Sequence, residues 1–381
     1  MITVADIFSG SMDKYLVNHN LSFKQTKVVN KIINCFSDNS PSILFRCSNN
    51  KCDYFEYKNK PCRDRHCNKC NSSKKLKWLI NISRSLLPLP YYHIVFTLPS
   101  ELHNLAICNQ KIVYDLLFKS SFYVLNKFSS DNKYFGGKLG YIGLLHTWGQ
   151  RLNYHPHIHY MVLAGGIKDG KFKKLPYQEK FIFPVKALSK VMMGKFIESL
   201  KVNYYKGNLK FPGKLEAIAN KKDFNNFLYL LSKKSWVVYS KAPIPNSEKT
   251  LQYISRYTHK VAISNYRIKN YNSSKVSFEY KDYKQTDKLG LPKKKLMTFS
   301  DMEFIRRFLL HILPNGFRKI RYGGIFSSNQ KAEAIRIIKE SIEVNLKAVS
   351  DKVKRILNEL EDKLLCVCPK CNSKVLINDY G

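Results

Sequence analysis

Hydrophobic and polar side chains alternate through residues 154–163, and this period of two predicts a β-strand. Ile158 and Val162 fall on one face of that strand. His157 and His159 fall on the other face, where two neutral imidazoles at i and i+2 can reach one divalent cation. His-x-His is a weak motif by itself, and a histidine-rich edge of an ordinary strand is the alternative reading.

A helical segment further along the chain carries two tyrosines one turn apart. Tyr253 and Tyr257 are spaced i and i+4, so both hydroxyls lie on one face of the helix. A tyrosine nucleophile and a cation held by histidines are the parts needed to break a DNA strand by tyrosine attack. A core stripe of two tyrosines with their hydroxyls at its rim is the alternative.

The remaining periodicities predict a chain that mixes helices and strands. Ser300 and Glu303 have the spacing of a capping box, which opens the predicted helix at 301–313. The predicted helices occupy residues 1–40, 74–87, 101–130, 187–204, 224–232, 301–313 and 329–364. The predicted strands occupy residues 92–98, 139–147, 157–164, 181–185, 236–239, 261–264 and 276–280.

The chain is strongly basic along its whole length. It has 65 Lys and Arg against 28 Asp and Glu, which gives a formal net charge of +37. A folded protein with so much distributed positive charge is most often a nucleic-acid binder, and the 13% of aromatic residues suits stacking on unpaired bases. We therefore expect DNA as the partner, mainly single-stranded or hairpin DNA. The basic residues predicted to contact DNA are Arg63, Arg65, Lys69, Arg256, Lys260, Arg306, Arg307, Arg318 and Arg321.

The sequence gives no sign of a membrane segment, because it has no uncharged apolar stretch of about 18 residues. The N-terminus also lacks a basic region followed by a long apolar run. We therefore expect a cytoplasmic, nucleoid-associated protein whose ten cysteines are thiols or metal ligands rather than disulfides. No Gly-x4-Gly-Lys-Ser/Thr motif occurs, so neither helicase activity nor a nucleotide cofactor is expected.

The cysteines of the N-terminal region have the spacing of zinc ligands. Two pairs, separated by four and by two residues, resemble the two knuckles of a tetrahedral zinc site. The predicted ligands of one structural Zn²⁺ are Cys47, Cys52, Cys67 and Cys70. Cys62 or His66 could replace one of these four. The C-terminal motif Cys366-x-Cys368-x2-Cys371 does not complete a site and is interpreted as a partial one.

Several long motifs, in one order along most of the chain, resemble transposases of the insertion sequence 91 type, which are HUH rolling-circle nucleases. The motifs that carry the resemblance are Cys62-Arg63-Asp64-Arg65-His66-Cys67-Asn68-Lys69-Cys70, His93-Ile94-Val95-Phe96-Thr97-Leu98-Pro99, His146-Thr147-Trp148-Gly149-Gln150, His155-Pro156-His157-Ile158-His159, Tyr253-Ile254-Ser255-Arg256-Tyr257-Thr258-His259-Lys260, Phe304-Ile305-Arg306-Arg307-Phe308-Leu309-Leu310-His311 and Arg318-Lys319-Ile320-Arg321-Tyr322-Gly323. Asn68 stands where the family usually has proline, which is a small departure.

The resemblance implies an α+β fold with an HUH core, in which helices flank a central antiparallel sheet and the histidine strand lies in its middle. It implies nicking of one DNA strand at the end of a transposon through a 5′-phosphotyrosine link. Tyr253 and Tyr257 would then be the catalytic tyrosines of the two-tyrosine form. The chain would divide into an N-terminal zinc-binding, DNA-binding module at 1–90, a nuclease domain at 91–270 and a basic hairpin with a helical, cysteine-tailed region at 271–381.

The nuclease site would hold Mg²⁺ or Mn²⁺ on His157 and His159, which polarises the scissile phosphate. A third ligand is usual, and His146 is the first choice because its strand can pair with the histidine strand; His259 is the other candidate. Two further functions stay open. One is a replication initiator or relaxase with the same chemistry, and the other is a non-catalytic, zinc-dependent DNA-binding relative.

Overall fold

A computed structural model describes residues 1–38, 40–70, 78–82, 86–87, 89–175, 182–244, 249–251, 253–254, 261–287, 290–341, 367–373 and 375–378. The strands are β1 (Ser42–Cys47), β2 (Phe55–Asn59), β3 (Tyr91–Thr97), β4 (Lys138–Trp148), β5 (Tyr154–Lys168), β6 (Lys171–Lys174), β7 (Val238–Ile244), β8 (Ile268–Asn272), β9 (Lys275–Thr286), β10 (Pro292–Ser300), β11 (Ile320–Gly324) and β12 (Val375–Asn378). The helices are α1 (Val4–Leu16), α2 (Phe23–Ile33), α3 (His103–Cys108), α4 (Gln110–Ser130), α5 (Val185–Tyr205), α6 (Lys221–Ser232), α7 (Asp301–Leu309) and α8 (Lys331–Ser341).

A six-stranded antiparallel sheet forms the centre of the fold, in the order β11-β4-β5-β3-β7, with β6 paired to β5. β5 lies in the middle and is buried on both faces over most of its length. The expectation of a central antiparallel sheet flanked by helices, with the histidine strand in its middle, is therefore confirmed.

The two faces of this sheet pack against different elements, because successive residues of β5 point in opposite directions. Ile158 belongs to the larger core, which helices α3 to α6 cover. Met161 belongs to a second core on the other face, together with Leu251 and Ile254 of the segment that carries Tyr253. The histidine face of β5 and the tyrosine segment are thus on the same side of the sheet.

A separate core brings the two ends of the chain together. Helices α1 and α2 pack with α7 and with strands β8 and β9 of a three-stranded sheet, β10-β9-β8. Phe8 of α1 meets Phe308 of α7 edge to face at a centroid distance of 5.2 Å, and the Ser11 hydroxyl donates to the Asp301 carboxylate at 2.7 Å. The predicted segments 1–90 and 271–381 share this core, and the predicted domain boundaries stay a proposal.

A third sheet, β12-β1-β2, joins the C-terminal strand to the N-terminal module. β12 pairs antiparallel with β1, from Cys47 opposite Val375 to Leu44 opposite Asn378. Within the described residues, no helix is both long and apolar enough to span a bilayer.

Some predicted elements differ from the structure. Residues 261–264 form no strand but an irregular stretch before a short 3-10 turn. Residues 182–184 are a bend that leads into α5 rather than a strand. Both stretches are short apolar runs, for which periodicity cannot distinguish a strand from a buried loop. The predicted helix 329–364 is observed as α8, and its part beyond residue 341 lies outside the described residues.

Candidate metal centre and nucleophile

Three histidines of the central sheet converge on one point. β4 and β5 pair so that His146 lies directly opposite His157, with His159 two residues further on the same face of β5. One ring nitrogen from each lies within 4.8 Å of the others, and Nε2 of His157 is 3.1 Å from Nε2 of His159. Each of the three side chains is about nine-tenths buried or more. The structure thus brings together the predicted pair and the first choice of third ligand, whereas His259 lies outside the described residues.

Hydrogen bonds orient two of these imidazoles so that their Nε2 atoms point inward. The His157 Nδ1–H donates to the carbonyl oxygen of His155 at 2.7 Å, because a carbonyl can only accept. This assignment puts the lone pair of the His157 ring on Nε2, which faces Nε2 of His159 and could be offered to a cation. Nδ1 of His159 is 2.9 Å from Nε2 of His93, which likewise leaves Nε2 of His159 facing the centre. Such outer hydrogen bonds fix the tautomer and the ring orientation of metal-binding histidines.

His93 connects this histidine trio to Tyr253. His93 lies on β3, opposite Met161 of β5, and therefore on the face of the sheet that the histidines share. Its Nδ1 is 3.0 Å from the Tyr253 hydroxyl, and its Nε2 contacts His159 as described above. The His93 and Tyr253 rings also pack edge to face at 5.0 Å. One imidazole thus bridges the predicted nucleophile and a predicted metal ligand.

Burial and neighbouring positive charge keep the bridging imidazole neutral. Burial, assisted by the Lys241 ammonium and by His157, lowers the pKa of His93 to about 3. A neutral imidazole has one N–H donor and one acceptor nitrogen. If the His159 Nδ1–H donates to Nε2 of His93, the remaining proton of His93 is on Nδ1 and points to the Tyr253 oxygen.

Sequence reasoning named His93 only as part of a motif and gave it no role. Its spacing within β3 shows which face it occupies, but its partners depend on the register between β3 and β5.

The tyrosine pair is described only in part: Tyr253 is half-buried in a helical segment, whereas Tyr257, Arg256 and Lys260 lie outside the described residues.

The cysteines form two sets of four rather than the single N-terminal set predicted, and two cysteines of the C-terminal motif complete the second set, whereas Cys366 lies outside the described residues. The first set is Cys35, Cys62, Cys67 and Cys70, and the second is Cys47, Cys52, Cys368 and Cys371. Within each set the sulfur atoms all lie within 4.8 Å of one another. The grouping of Cys47 and Cys52 with Cys67 and Cys70 was therefore wrong, although both local pairs are kept and Cys62 is included.

His66 does not take part in either cysteine set. Its Nδ1–H donates to the Asp64 carboxylate at 2.8 Å, and its Nε2 accepts the backbone N–H of Leu313 at 3.1 Å. Both ring nitrogens are therefore used in holding the cysteine module against the segment after α7. Cys35 was missed by the sequence analysis because it follows α2 and stands far from the other cysteines of its set.

The basic residues predicted to contact DNA differ in their surroundings. Arg63, Lys69 and Arg318 are exposed. Arg65 donates to the carbonyl oxygen of Phe317 at 2.6 Å. Arg321 forms an ion pair with Asp115 and lies over the Phe118 ring. Arg65 and Arg321 thus also stabilise the fold.

Two further predicted contacts lie on α7. Ser300 caps this helix by accepting the backbone N–H of Glu303 at 3.2 Å. The Glu303 carboxylate binds both Arg306 and Arg307 at 2.6 Å. The hydrogen bond from Arg306 is the main reason that the pKa of Glu303 falls to about 2. Arg307 also lies over the Phe299 ring at 4.3 Å.

Two family models match the chain, and both describe transposases. Residues 140–333 match a family described as "Putative transposase", and residues 7–98 match the family "Transposase zinc-binding domain". The zinc-binding match and the two four-cysteine sets together support structural Zn²⁺. No solved structure matches the chain.

Two curated relatives cover most of the chain. The chain is 34% identical to a "Putative transposase y4qJ" of Sinorhizobium fredii over 98% of this chain and 94% of the relative. It is 26% identical to the "Transposase for insertion sequence element IS801" of Pseudomonas savastanoi pv. phaseolicola over 84% of this chain and 74% of the relative. The chain therefore belongs to the insertion sequence 91 family of transposases.

Proposed function

We propose that this transposase cuts single-stranded DNA at the ends of its element by attack of a tyrosine on a phosphodiester, and that it rejoins the strands in rolling-circle fashion. The single observation that carries the proposal is the chain of contacts from the Tyr253 hydroxyl through His93 to His159. It connects a nucleophile of the right chemistry to a set of imidazoles that can hold a cation.

The three-histidine site fits a divalent cation. His146, His157 and His159 would each supply one nitrogen, and two of the rings are oriented by hydrogen bonds at their outer nitrogens. A bound Mg²⁺ or Mn²⁺ would polarise the scissile phosphate and offset charge on the leaving oxygen. Nitrogen ligands favour Mn²⁺ over Mg²⁺, because Mg²⁺ prefers oxygen ligands and retains its water.

His93 prepares the nucleophile in this proposal. A tyrosine hydroxyl has an ordinary pKa near ~10, so the phenolate must be stabilised near neutral pH. The His93 Nδ1–H donates to the Tyr253 oxygen and thereby favours the charge that develops as the proton leaves. The bond from Tyr253 to phosphorus forms while the bond from phosphorus to the 3′ oxygen breaks. The tyrosine proton passes to water, and the released 3′ oxygen takes up a proton.

The covalent product keeps the energy of the broken bond. A free 3′ hydroxyl can attack the 5′-phosphotyrosine and release the enzyme, so strand transfer needs no nucleotide cofactor. Tyr257 is the second nucleophile in this proposal, because it follows Tyr253 by four residues, the spacing that places two side chains on one face of a helix. One tyrosine would hold the first cleaved end while the other attacks the next junction.

DNA binding in the proposal rests on the charge of +37 and on basic residues outside the histidine site. Arg63, Lys69 and Arg318 are exposed and can reach phosphates. We assign the protein to DNA in the cytoplasm, in association with the nucleoid. Single strands and hairpins are the preferred partners, because a flexible strand can bend into a half-buried site and its unpaired bases can stack on aromatic side chains.

The test uses single-stranded oligonucleotides that span each end of the element, incubated with Mg²⁺ or Mn²⁺ and resolved under denaturing conditions. We expect covalent adducts with the wild-type protein. Tyr253→Phe and Tyr257→Phe should each retain some cleavage but block complete strand transfer, whereas the double variant should form no adduct. Tyr229→Phe is the matched control, because Tyr229 is exposed on α6, which covers the opposite face of the central sheet.

Peptide mass spectrometry of the adduct identifies the residue that carries the DNA. His157→Ala should abolish cleavage while DNA binding is retained, which separates the two activities. A covalent link on a residue other than the two tyrosines, or a full adduct yield from the double variant, would refute the proposed mechanism. The family membership would be unaffected by either result.

A further inference from the structure

The second cysteine set joins the two ends of the chain. Cys47 and Cys52 flank the turn between β1 and β2, whereas Cys368 and Cys371 precede β12. The Cys47 sulfur is 3.3 Å from that of Cys371, and the Cys52 sulfur is 3.8 Å from that of Cys368. A tetrahedral zinc ion with Zn–S bonds of about 2.3 Å requires sulfur atoms roughly 3.8 Å apart. The separations are therefore near those of a zinc site.

Each pair is presented by a turn whose backbone is already fixed. The backbone N–H of Asn49 donates to the Cys47 sulfur at 3.4 Å, which holds that sulfur against its own turn. The backbone N–H of Cys368 donates to the carbonyl oxygen of Ser373 at 2.7 Å. Asn372 has a left-handed φ of 58°, which turns the chain back toward β12. The two turns face each other as two knuckles of a zinc site do.

We propose that Cys47, Cys52, Cys368 and Cys371 bind a second zinc ion, and that this ion fastens the C-terminal strand to the N-terminal module. The family match for zinc binding covers residues 7–98, so it includes only half of these ligands. The other zinc site is complete within residues 35–70. The proposal does not depend on strand cleavage.

The ion has a structural task that the strand pairing does not perform well by itself. β12 is four residues long, and among the described residues β1 is its only strand partner. An ion pair between Lys370 and Asp53 adds little, because both side chains are largely exposed. Cys52 and Cys368 are 316 residues apart in sequence, so a metal bridge would close a very long loop. Such a closure restricts the unfolded chain strongly.

Zinc stoichiometry tests the proposal, measured by native mass spectrometry on the full chain. We expect two zinc ions per wild-type chain and one in the double variant Cys368→Ser, Cys371→Ser. The double variant Cys62→Ser, Cys70→Ser should lose the other ion. Cys108→Ser is the matched control, because Cys108 is an exposed cysteine outside both sets and should leave both ions bound.

Hydrogen exchange gives a second, independent measurement on the same proteins. Loss of the second ion should increase amide exchange in β12 and in β1, while β4 and β5 stay protected. The proposal is overturned if the Cys368→Ser, Cys371→Ser variant binds as many zinc ions as the wild type, with β12 equally protected. It is also overturned if the wild type contains a Cys47–Cys371 disulfide and a single zinc ion.

Discussion

Substitution of His93 tests the contact that connects Tyr253, the proposed nucleophile, to the histidine trio. His93→Phe keeps a planar ring at a site that is only 4% exposed, but it removes both hydrogen bonds of the imidazole. His159 then loses the acceptor that orients it, and Tyr253 loses the donor that stabilises its phenolate.

The size of the effect follows from these two losses. Removal of an outer partner of a metal-binding histidine lowers metal affinity or activity by about 10- to 100-fold, which corresponds to about 1.4 to 2.7 kcal/mol. Loss of one hydrogen bond to Tyr253 should lower the cleavage rate at saturating metal by about 2- to 13-fold, because such a bond contributes roughly 0.5 to 1.5 kcal/mol. Cleavage of His93→Phe should therefore need more Mn²⁺ and stay slower when Mn²⁺ saturates.

Two shorter substitutions separate the contributions. The amide of His93→Asn can replace Nδ1 and keep the donor to Tyr253, whereas the amide of His93→Gln can replace Nε2 and keep the acceptor for His159. We expect His93→Asn mainly to raise the Mn²⁺ concentration that cleavage requires and His93→Gln mainly to lower the rate at saturating Mn²⁺. The assay is initial-rate cleavage of a single-stranded oligonucleotide over a Mn²⁺ titration, with thermal unfolding as the control for folding. An unchanged rate and Mn²⁺ dependence in a folded His93→Phe protein would refute the role of His93.

Three further predictions concern binding and stability. Affinity for single-stranded DNA should fall steeply with salt, by roughly −0.7 in the log–log slope per neutralised phosphate, and a flat titration would contradict the electrostatic account. Burial lowers the pKa of His311 to about 3, so the unfolded chain takes up its proton first and stability falls as pH drops below about 6.5. Between pH 7 and pH 5, the free energy of unfolding measured in urea should therefore fall by about 2 kcal/mol less in His311→Gln than in the wild type. Equal decreases in the two proteins would contradict this prediction. Gly324→Ala should destabilise the fold by at least about 2 kcal/mol more than Gly207→Ala. Gly207 has a similar φ, but a Cβ there would meet open space. The reason is that a Cβ at Gly324 would lie 1.8 Å from the Leu139 carbonyl oxygen, and equal unfolding midpoints would refute it.

The sequence predicted strands of the central sheet well where the alternation of apolar and polar residues continued over many positions. The strand that became β5 was visible from alternation, which also placed His157 and His159 on one face. Its central position came from the family resemblance, because alternation does not give strand order. The strands predicted from the short apolar runs at 181–185 and 261–264 were wrong, since a few apolar residues fit a buried bend as well as a strand.

The zinc ligands show where local spacing stops being informative. Cys67 and Cys70 do share a site, as do Cys47 and Cys52, because residues so close in sequence are held together by one turn. Which two pairs share an ion depends on the packing of α2 and of the chain end. Cys35 reaches its set only because α2 packs against the module, and no spacing rule contains that information.

The contacts of His93 with His159 and Tyr253 also depend on packing between elements that are distant in sequence. This is why the candidate site could be predicted only in part. His93 is 66 residues from His159 and 160 residues from Tyr253 in sequence. Alternation in β3 fixes only its face, whereas its two contacts need the register of β3 against β5 and the placement of the tyrosine segment over that face. Metal ligands at i and i+2 can be read from one strand. A residue that couples ligand to nucleophile must lie between two elements, so it emerges only when the sheet and its covering helix are assembled.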